Sequence, residues 1–367
     1  MTALYQQVYR SIKHDIINGK FKPGDRIPSE KDLAEQFQVS RITSKKAIEK
    51  LMIEGLVYRQ RGKGTFVSDK DKHSPDHKKP SKKPLFGLIM TSLDASFGNE
   101  LVTSLLQGPE ESHNFILRVS LGIPENEKRI IQELRELGVD GIAIAPAHSE
   151  HYNSEILKMV VNKFPLVLID RSIKGIGVTT VSTDNEAAAQ MGVNYLFQLG
   201  HEHIAILMPS NYKTTSIEDR ITGIVQAYAE NNLIVDRQLW YSEIHSTLPP
   251  YPLSAKSEDV ERIKHHIQSH PKITAIFALE YNIALLAKKA VEELYLQVPN
   301  DISIICFDST PFSDMESNFT HLKQNEQKLG KMTTKRLIDM VNGNRKIEND
   351  YIDATLIKGI TTKAIDK

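Results

Sequence analysis

The chain has 367 residues, 40% hydrophobic and 25% charged, with 46 Lys and Arg against 46 Asp and Glu and one cysteine. This is material for two or three packed domains and excludes disordered and collagenous classes; no apolar run reaches the roughly 18 residues of a membrane helix. Lone Cys306 has no partner for a disulfide or a C-x-x-C motif, and MTALYQQVYRSIKHD lacks an apolar signal stretch, so a cytoplasmic chain without membrane contact is expected. The charge balance is a cancellation: residues 1–83 carry 19 Lys and Arg against 10 Asp and Glu, residues 84–367 carry 27 against 36. Such asymmetry is a hint of a nucleic-acid or membrane-surface module joined to something else.

In chain order, Val8, Ile12 and Ile16 recur every four residues and predict an amphipathic helix ending at Asn18-Gly19. Pro23-Gly24-Asp25 is a turn. Ser29 is a candidate N-cap for a helix over 31–37, and Ser40 for a second over 41–54 with Ala47, Ile48, Leu51 and Met52 facing inward. Segments 56–59 and 65–68 flank a glycine-bearing tip, 60–64. Three helices and a two-stranded wing are expected over residues 1–68. The stretch DKDKHSPDHKKPSKKP, residues 69–84, has three prolines and no large apolar residue and reads as a linker.

Beyond it, seven continuous apolar runs (85–90, 115–119, 141–145, 166–169, 204–208, 275–279 and 302–307) alternate with segments of helical period such as 127–137, 186–199 and 282–296. Runs of this kind fit strands buried on both faces, so residues 85–367 are expected to form an α/β, doubly wound parallel-sheet domain of two lobes. The lobes are expected over about 85–178 with 309–325, and about 179–308 with 326–367.

A helix pair joined by a tight turn places the start of its second helix against base edges in the major groove of double-stranded DNA. The candidates there are Ser40, Arg41, Ile42, Thr43 and Lys45, with Lys46 close by. Lys31 is placed for phosphate, and Arg61 and Lys63 at the tip for phosphate or minor groove. The sequence PGDRIPSEKDLAEQFQVSRITSKKAIEKLMIEGLVYRQRGKGTFV resembles the winged helix-turn-helix of the GntR family across its full length. The resemblance implies DNA contacts at Lys31, Arg41, Thr43, Lys45 and the wing, Gly62, Lys63, Gly64 and Thr65. Lys45 stands where the family often has arginine, without that residue's bidentate fork.

Open α/β sheets bind ligands at the carboxyl ends of their strands. Thr91, Ser92 and Asp94, then Asp170 and Arg171, then Glu280, then Asp308 and Ser309 follow apolar runs. Carboxylates and an arginine converging on one cleft suit hydroxyl-rich ligands, although Asp and Ser after a strand are also ordinary turn formers. The segments ELGVDGIAIAP, FPLVLIDR, VSTDNEAAAQMGVNYLFQLGHEHIAIL, VPNDISIICFD and HLKQNEQKLG, with the R-x-x-G of Arg220 to Gly223, resemble a LacI/GalR-type effector domain, itself similar to periplasmic sugar-binding proteins. That resemblance implies effector contacts at Thr91, Ser92, Asp170, Arg220, Glu280, Asp308 and Gln324, with Arg220 the central hydroxyl clamp. Glu280-Tyr281 replaces the usual Asn-Asp.

Together the resemblances imply a homodimeric repressor that binds operator DNA and is released by a small sugar, L-arabinose before other sugars, with no cofactor and no catalysis. A sugar-binding or sugar-processing protein whose basic N-terminus serves protein or membrane contacts is the alternative. His266 and His270 have the spacing of a metal pair without a third ligand; His201, His203 and His265 complete no set. Trp240 and Tyr241 could stack on a sugar or pack in a core. No nucleophile elbow, phosphate loop or G-x-G-x-x-G motif is present.

Overall fold

A computed structural model describes residues 4–60, 63–68, 83–94, 96–107, 113–147, 153–210, 214–247, 250–310 and 318–365. Two of the wing candidates, Arg61 and Gly62, and most of the linker lie outside the described residues. The chain divides into two compact units, Met1–Lys82 and Lys83–Lys367.

The first unit runs α1 (Leu4–Ile17), α2 (Glu30–Gln36), α3 (Arg41–Ile53), β1 (Val57–Gln60) and β2 (Gly64–Val67). Ser29 caps α2 through a reciprocal capping box with Asp32, and the Ser40 hydroxyl accepts from the Thr43 N–H at the start of α3, satisfying amide groups that a bare helix start leaves unpaired. Val8, Ile12, Leu33, Ala47, Ile48, Leu51, Val57 and Val67 form one apolar core. The two strands are antiparallel, and an isolated bridge from Arg26 to Phe66 extends the wing by one residue pair.

The second unit holds two sheets of parallel strands. In the first lobe the order is β4 (Asn114–Val119), β3 (Leu85–Met90), β5 (Gly141–Ile144), β6 (Leu166–Ile169), β7 (Thr180–Thr183), β13 (Asn349–Ile352), parallel throughout. In the second it is β9 (Trp240–Ile244), β8 (Ile204–Pro209), β10 (Ala275–Ala278), β11 (Ser303–Phe307), β12 (Thr320–Lys323), β14 (Thr355–Ile357), with only the β12–β14 pair antiparallel. The inner strands are apolar on both faces because helices cover both sides. These helices are α4 (Asn99–Leu106), α5 (Pro124–Glu136) and α6 (Ser154–Val161) in the first lobe, and α7 (Asn185–Gln198), α8 (Thr215–Glu230), α9 (Ala255–Ser269) and α10 (Tyr281–Glu293) in the second.

The expected division of the lobes is corrected at its later crossovers. Thr180–Thr183 pairs with β6 and therefore belongs to the first lobe, while Thr320–Lys323 pairs with β11 and belongs to the second. The helix α11 (Glu326–Val341) returns to the first lobe, where Glu326 accepts from the Gly98 and Leu101 amides and Leu329 and Leu337 join its core. The chain thus crosses between lobes three times, after Thr183, after Lys323 and after Ile352. Close helix contacts depend on small residues: a Cβ at Gly223 on α8 would lie 2.1 Å from the Glu186 carbonyl oxygen on α7.

Candidate functional site

Strands of both lobes point their carboxyl ends at one cleft within the second unit. All ten sequence-derived effector candidates line it: Thr91, Ser92, Asp94, Asp170, Arg171, Arg220, Glu280, Tyr281, Asp308 and Gln324. Ser309 does not. Thr214, Ser216, Thr247 and Asn282 line it too and were not singled out, because they sit on loops or helix starts rather than directly after apolar runs.

Arg220 is the centre. It is 4% exposed, held on α8 with Nε donating to Asn185 Oδ1 at 2.8 Å and Nη1 to the Leu279 carbonyl at 2.6 Å. Its guanidinium lies 3.7 Å from the centre of the Phe307 ring, a cation–π contact strengthened by exclusion of water. Burial pulls its pKa down, and the charges of Asp308, Asp170 and Glu280 oppose that pull. The carboxylates feel the reverse. Burial raises Asp308 to about 7 against the pull of Arg220 and a hydrogen bond from Gln324, and raises Glu280 to about 6 against Arg220 and Arg171. Both are enclosed by protein yet keep part of their surface open to the cleft.

Gln324 links the lobes. Its Nε2 donates to both Asp308 oxygens, at 3.1 and 2.9 Å, and its Oε1 accepts from the Thr183 hydroxyl at 2.6 Å. Asn282 Nδ2 reaches Asp94 Oδ2 at 3.4 Å from the opposite lobe. The other Asp94 oxygen accepts from Ser96 N, Ser96 Oγ and Phe97 N, so this residue is also a turn former. Arg171 pairs with Asp170 at 3.2 Å. The whole offers charged donors and acceptors at several angles, as a ring of hydroxyls requires.

In the first unit, Lys31, Ser40, Arg41, Lys45, Lys46 and Lys63 are exposed. Lys31 and Lys45 face Glu35 and Glu49 at 3.9 Å, one helical turn on; such solvated pairs are worth little and do not immobilise a lysine. Lys46 instead lies over the Tyr5 ring, 4.7 Å from its centre. Thr43 is half-buried, its hydroxyl 2.8 Å from Ser40 Oγ. Thr65, expected on the DNA side, is buried at 8% exposure and its carbonyl accepts from Ile27 N; it shares the inward face of β2 with Val67. Gly64 is open in φ at +124°, and a Cβ there would meet Arg26 Nε at 2.6 Å. Ser44 is a further residue of consequence, fully buried with its hydroxyl donating to the Glu30 carbonyl at 2.6 Å, which fixes α3 against α2.

The other constellations resolve structurally. His201 is tied to Thr274 and the Lys363 carbonyl, His266 to the Leu239 carbonyl. Among the described residues no group of His, Cys, Asp and Glu could hold a metal, and none of the helices could cross a membrane. Cys306 is buried and its thiol pushed well up. Trp240 opens β9, at the end of the sheet away from the cleft, under the Arg237 guanidinium at 3.9 Å.

The family model for bacterial regulatory proteins of the gntR family matches residues 4–67, and the model for the periplasmic binding protein-like domain matches 193–362. The chain thus carries a gntR-family domain followed by a periplasmic-binding-protein-like domain. It is 26% identical to the arabinose metabolism transcriptional repressor of Geobacillus stearothermophilus over 92% of this chain and 91% of that one. The repressor of the same description from Halalkalibacterium halodurans is also 26% identical, over 94% and 91%. The fold superposes on the transcription regulator CcpA of Lactococcus lactis with a TM-score of 0.66 at 18% identity, covering 77% of this chain and all of that one. The domain pair makes this chain a DNA-binding transcriptional regulator, and both relatives are described as transcriptional repressors.

Proposed function

We propose that this regulator is a cytoplasmic homodimer whose first unit reads operator DNA through Lys31, Arg41, Lys45 and the wing, with residues 69–84 as linker. In this reading the cleft takes a small neutral sugar, L-arabinose before others, and sugar binding draws the lobes together and lowers operator affinity. Arg220 carries the proposal. Two of its donors are held by Asn185 and the Leu279 carbonyl, and it sits in an open cleft beside Asp170, Glu280 and Asp308. A neutral polyol gives each of these groups a hydroxyl partner. A carboxylated or phosphorylated sugar would bring a further negative charge to a cleft that already holds Asp94, Asp170, Glu280 and Asp308. The two relatives described as arabinose metabolism repressors support the choice of pentose.

A thermal-shift panel of neutral pentoses and hexoses, a uronate and a sugar phosphate tests the ligand. At about 100 times its Kd a ligand adds roughly 2.7 kcal/mol, so L-arabinose is expected to raise the melting temperature and the anionic sugars to leave it unchanged. A panel in which only an anionic sugar shifts the transition contradicts the reading.

A further inference from the structure

Ile42, second residue of α3, is 80% exposed. It lies in the first helical turn, in a unit whose core takes Ala47, Ile48 and Leu51 from this helix and nothing from Ile42. At 3.6 residues per turn, the exposed positions fan over roughly 140° in the order Arg41, Met52, Lys45, Glu49, Ile42, Lys46, with Met52, expected to face inward, lying instead on the last turn of this face. Ile42 is therefore inside the outward face, not at its junction with the core. Its neighbours are differently engaged: Lys46 leans over Tyr5 towards α1, and the Thr43 hydroxyl is drawn into the Ser40 cap. In the first turn of the outward face, Arg41 supplies the charged donors and Ile42 a branched apolar surface.

The major groove presents donors, acceptors and one apolar feature, the C5-methyl group of thymine. We propose that Ile42 is a specificity-determining residue that packs against a thymine methyl, so that this regulator requires T at one fixed position in each half-site. The proposal rests on the reading of DNA by α3. The branched side chain buries that methyl against its own, and a cytosine or a uracil at the same position leaves the contact empty.

The test uses the full chain and duplexes enriched by it from a random-sequence pool. In an enriched duplex each thymidine is replaced in turn by deoxyuridine, which removes only the methyl, and affinity is measured for wild type, Ile42→Ala and Ile42→Val. One buried methyl is worth about a fourfold change in affinity. The expected result is a loss of that size at one thymidine per half-site for wild type and Ile42→Val, and at none for Ile42→Ala. No sensitive thymidine, or a loss that persists undiminished in Ile42→Ala, overturns the assignment. A pool from which the wild type enriches no sequence overturns instead the DNA reading beneath it. Because Ile42 is exposed, neither substitution disturbs the core.

Discussion

Asp170 and Asp308 share one unusual backbone conformation, with φ of +65° and +64°. They occupy matching places, directly after β6 and β11, the fourth strand from the corresponding edge of each sheet. Each lobe delivers a carboxylate to the cleft by the same left-handed turn, a conformation that Asp and Asn tolerate better than other side-chain-bearing residues. Strain of this kind is retained where surrounding structure over-determines it, often at binding sites. Asp308→Asn keeps the tolerated conformation, whereas Asp308→Ala does not. Urea unfolding is expected to find the alanine variant less stable than the asparagine variant by about 1 kcal/mol; equal midpoints would remove backbone strain from the account.

The raised carboxyl of Asp308 makes stability depend on pH in a defined direction. Its folded pKa of about 7 lies above the ordinary carboxyl value of 3.8, so between those limits the folded state binds more protons than the unfolded one. Its contribution is fully present below pH 4 and is lost as pH rises through 7. Buried His201, His266 and His321, with lowered pKa values, act oppositely and lose stability as pH falls. The informative quantity is therefore the difference between wild type and Asp308→Asn without sugar. The asparagine variant is expected to gain relative melting temperature as pH rises from 5 to 8, and a pH-independent difference would contradict the assignment.

Arg220→Ala should separate the two functions. Losing a hydrogen bond between a charged group and a neutral hydroxyl costs about 1.5–3 kcal/mol, which corresponds to a loss of sugar affinity of roughly tenfold or more. Operator affinity should stay at the wild-type level, and Arg220→Lys should fail similarly because an ammonium cannot span Asn185 and the Leu279 carbonyl with a fork. Calorimetric titration with the sugar, paired with a duplex-binding assay, checks both. Normal sugar affinity in either variant would remove Arg220 from the site.

Gly223 supports that arginine from one turn away. Gly223→Ala would place a methyl 2.1 Å from the Glu186 carbonyl and force α7 and α8 apart. Overpacking of this kind costs about 3 kcal/mol, and it shifts Arg220 relative to Asn185 at the start of α7. Denaturant unfolding is expected to show that loss together with weaker sugar binding; an unchanged midpoint would mean that the helix pair yields easily.

The parts of the fold legible in the sequence were those where one physical rule acted alone. Leu85–Met90 and Ser303–Phe307 are buried on both faces and read as unbroken apolar runs, and Ser29 and Ser40 announced their helices. Thr180–Thr183, Thr320–Lys323 and Asn349–Ile352 were silent because hydroxyls and charges share these short strands at crossovers and edges. Without them the return of α11 to the first lobe could not be inferred, since helical period marks a buried face and not the sheet it covers. The cleft was legible wherever a residue follows a strand, as with Asp170 and Asp308. Asn185, which holds Arg220, was not, because the strand before it went unread. Thr65 could have been placed inside by its period-two relation to Val67.

The coupling of the two units is the central claim, and fluorescence anisotropy of the full chain on a duplex enriched from a random-sequence pool measures it directly. A ligand shifts a two-state equilibrium only by its differential affinity for the two states, and by linkage the DNA must weaken sugar binding by the same factor. The account predicts that saturating L-arabinose releases the duplex from wild type, and that the reciprocal weakening of sugar affinity by DNA has the same size. Sugar that binds the chain while operator affinity stays unchanged would contradict it.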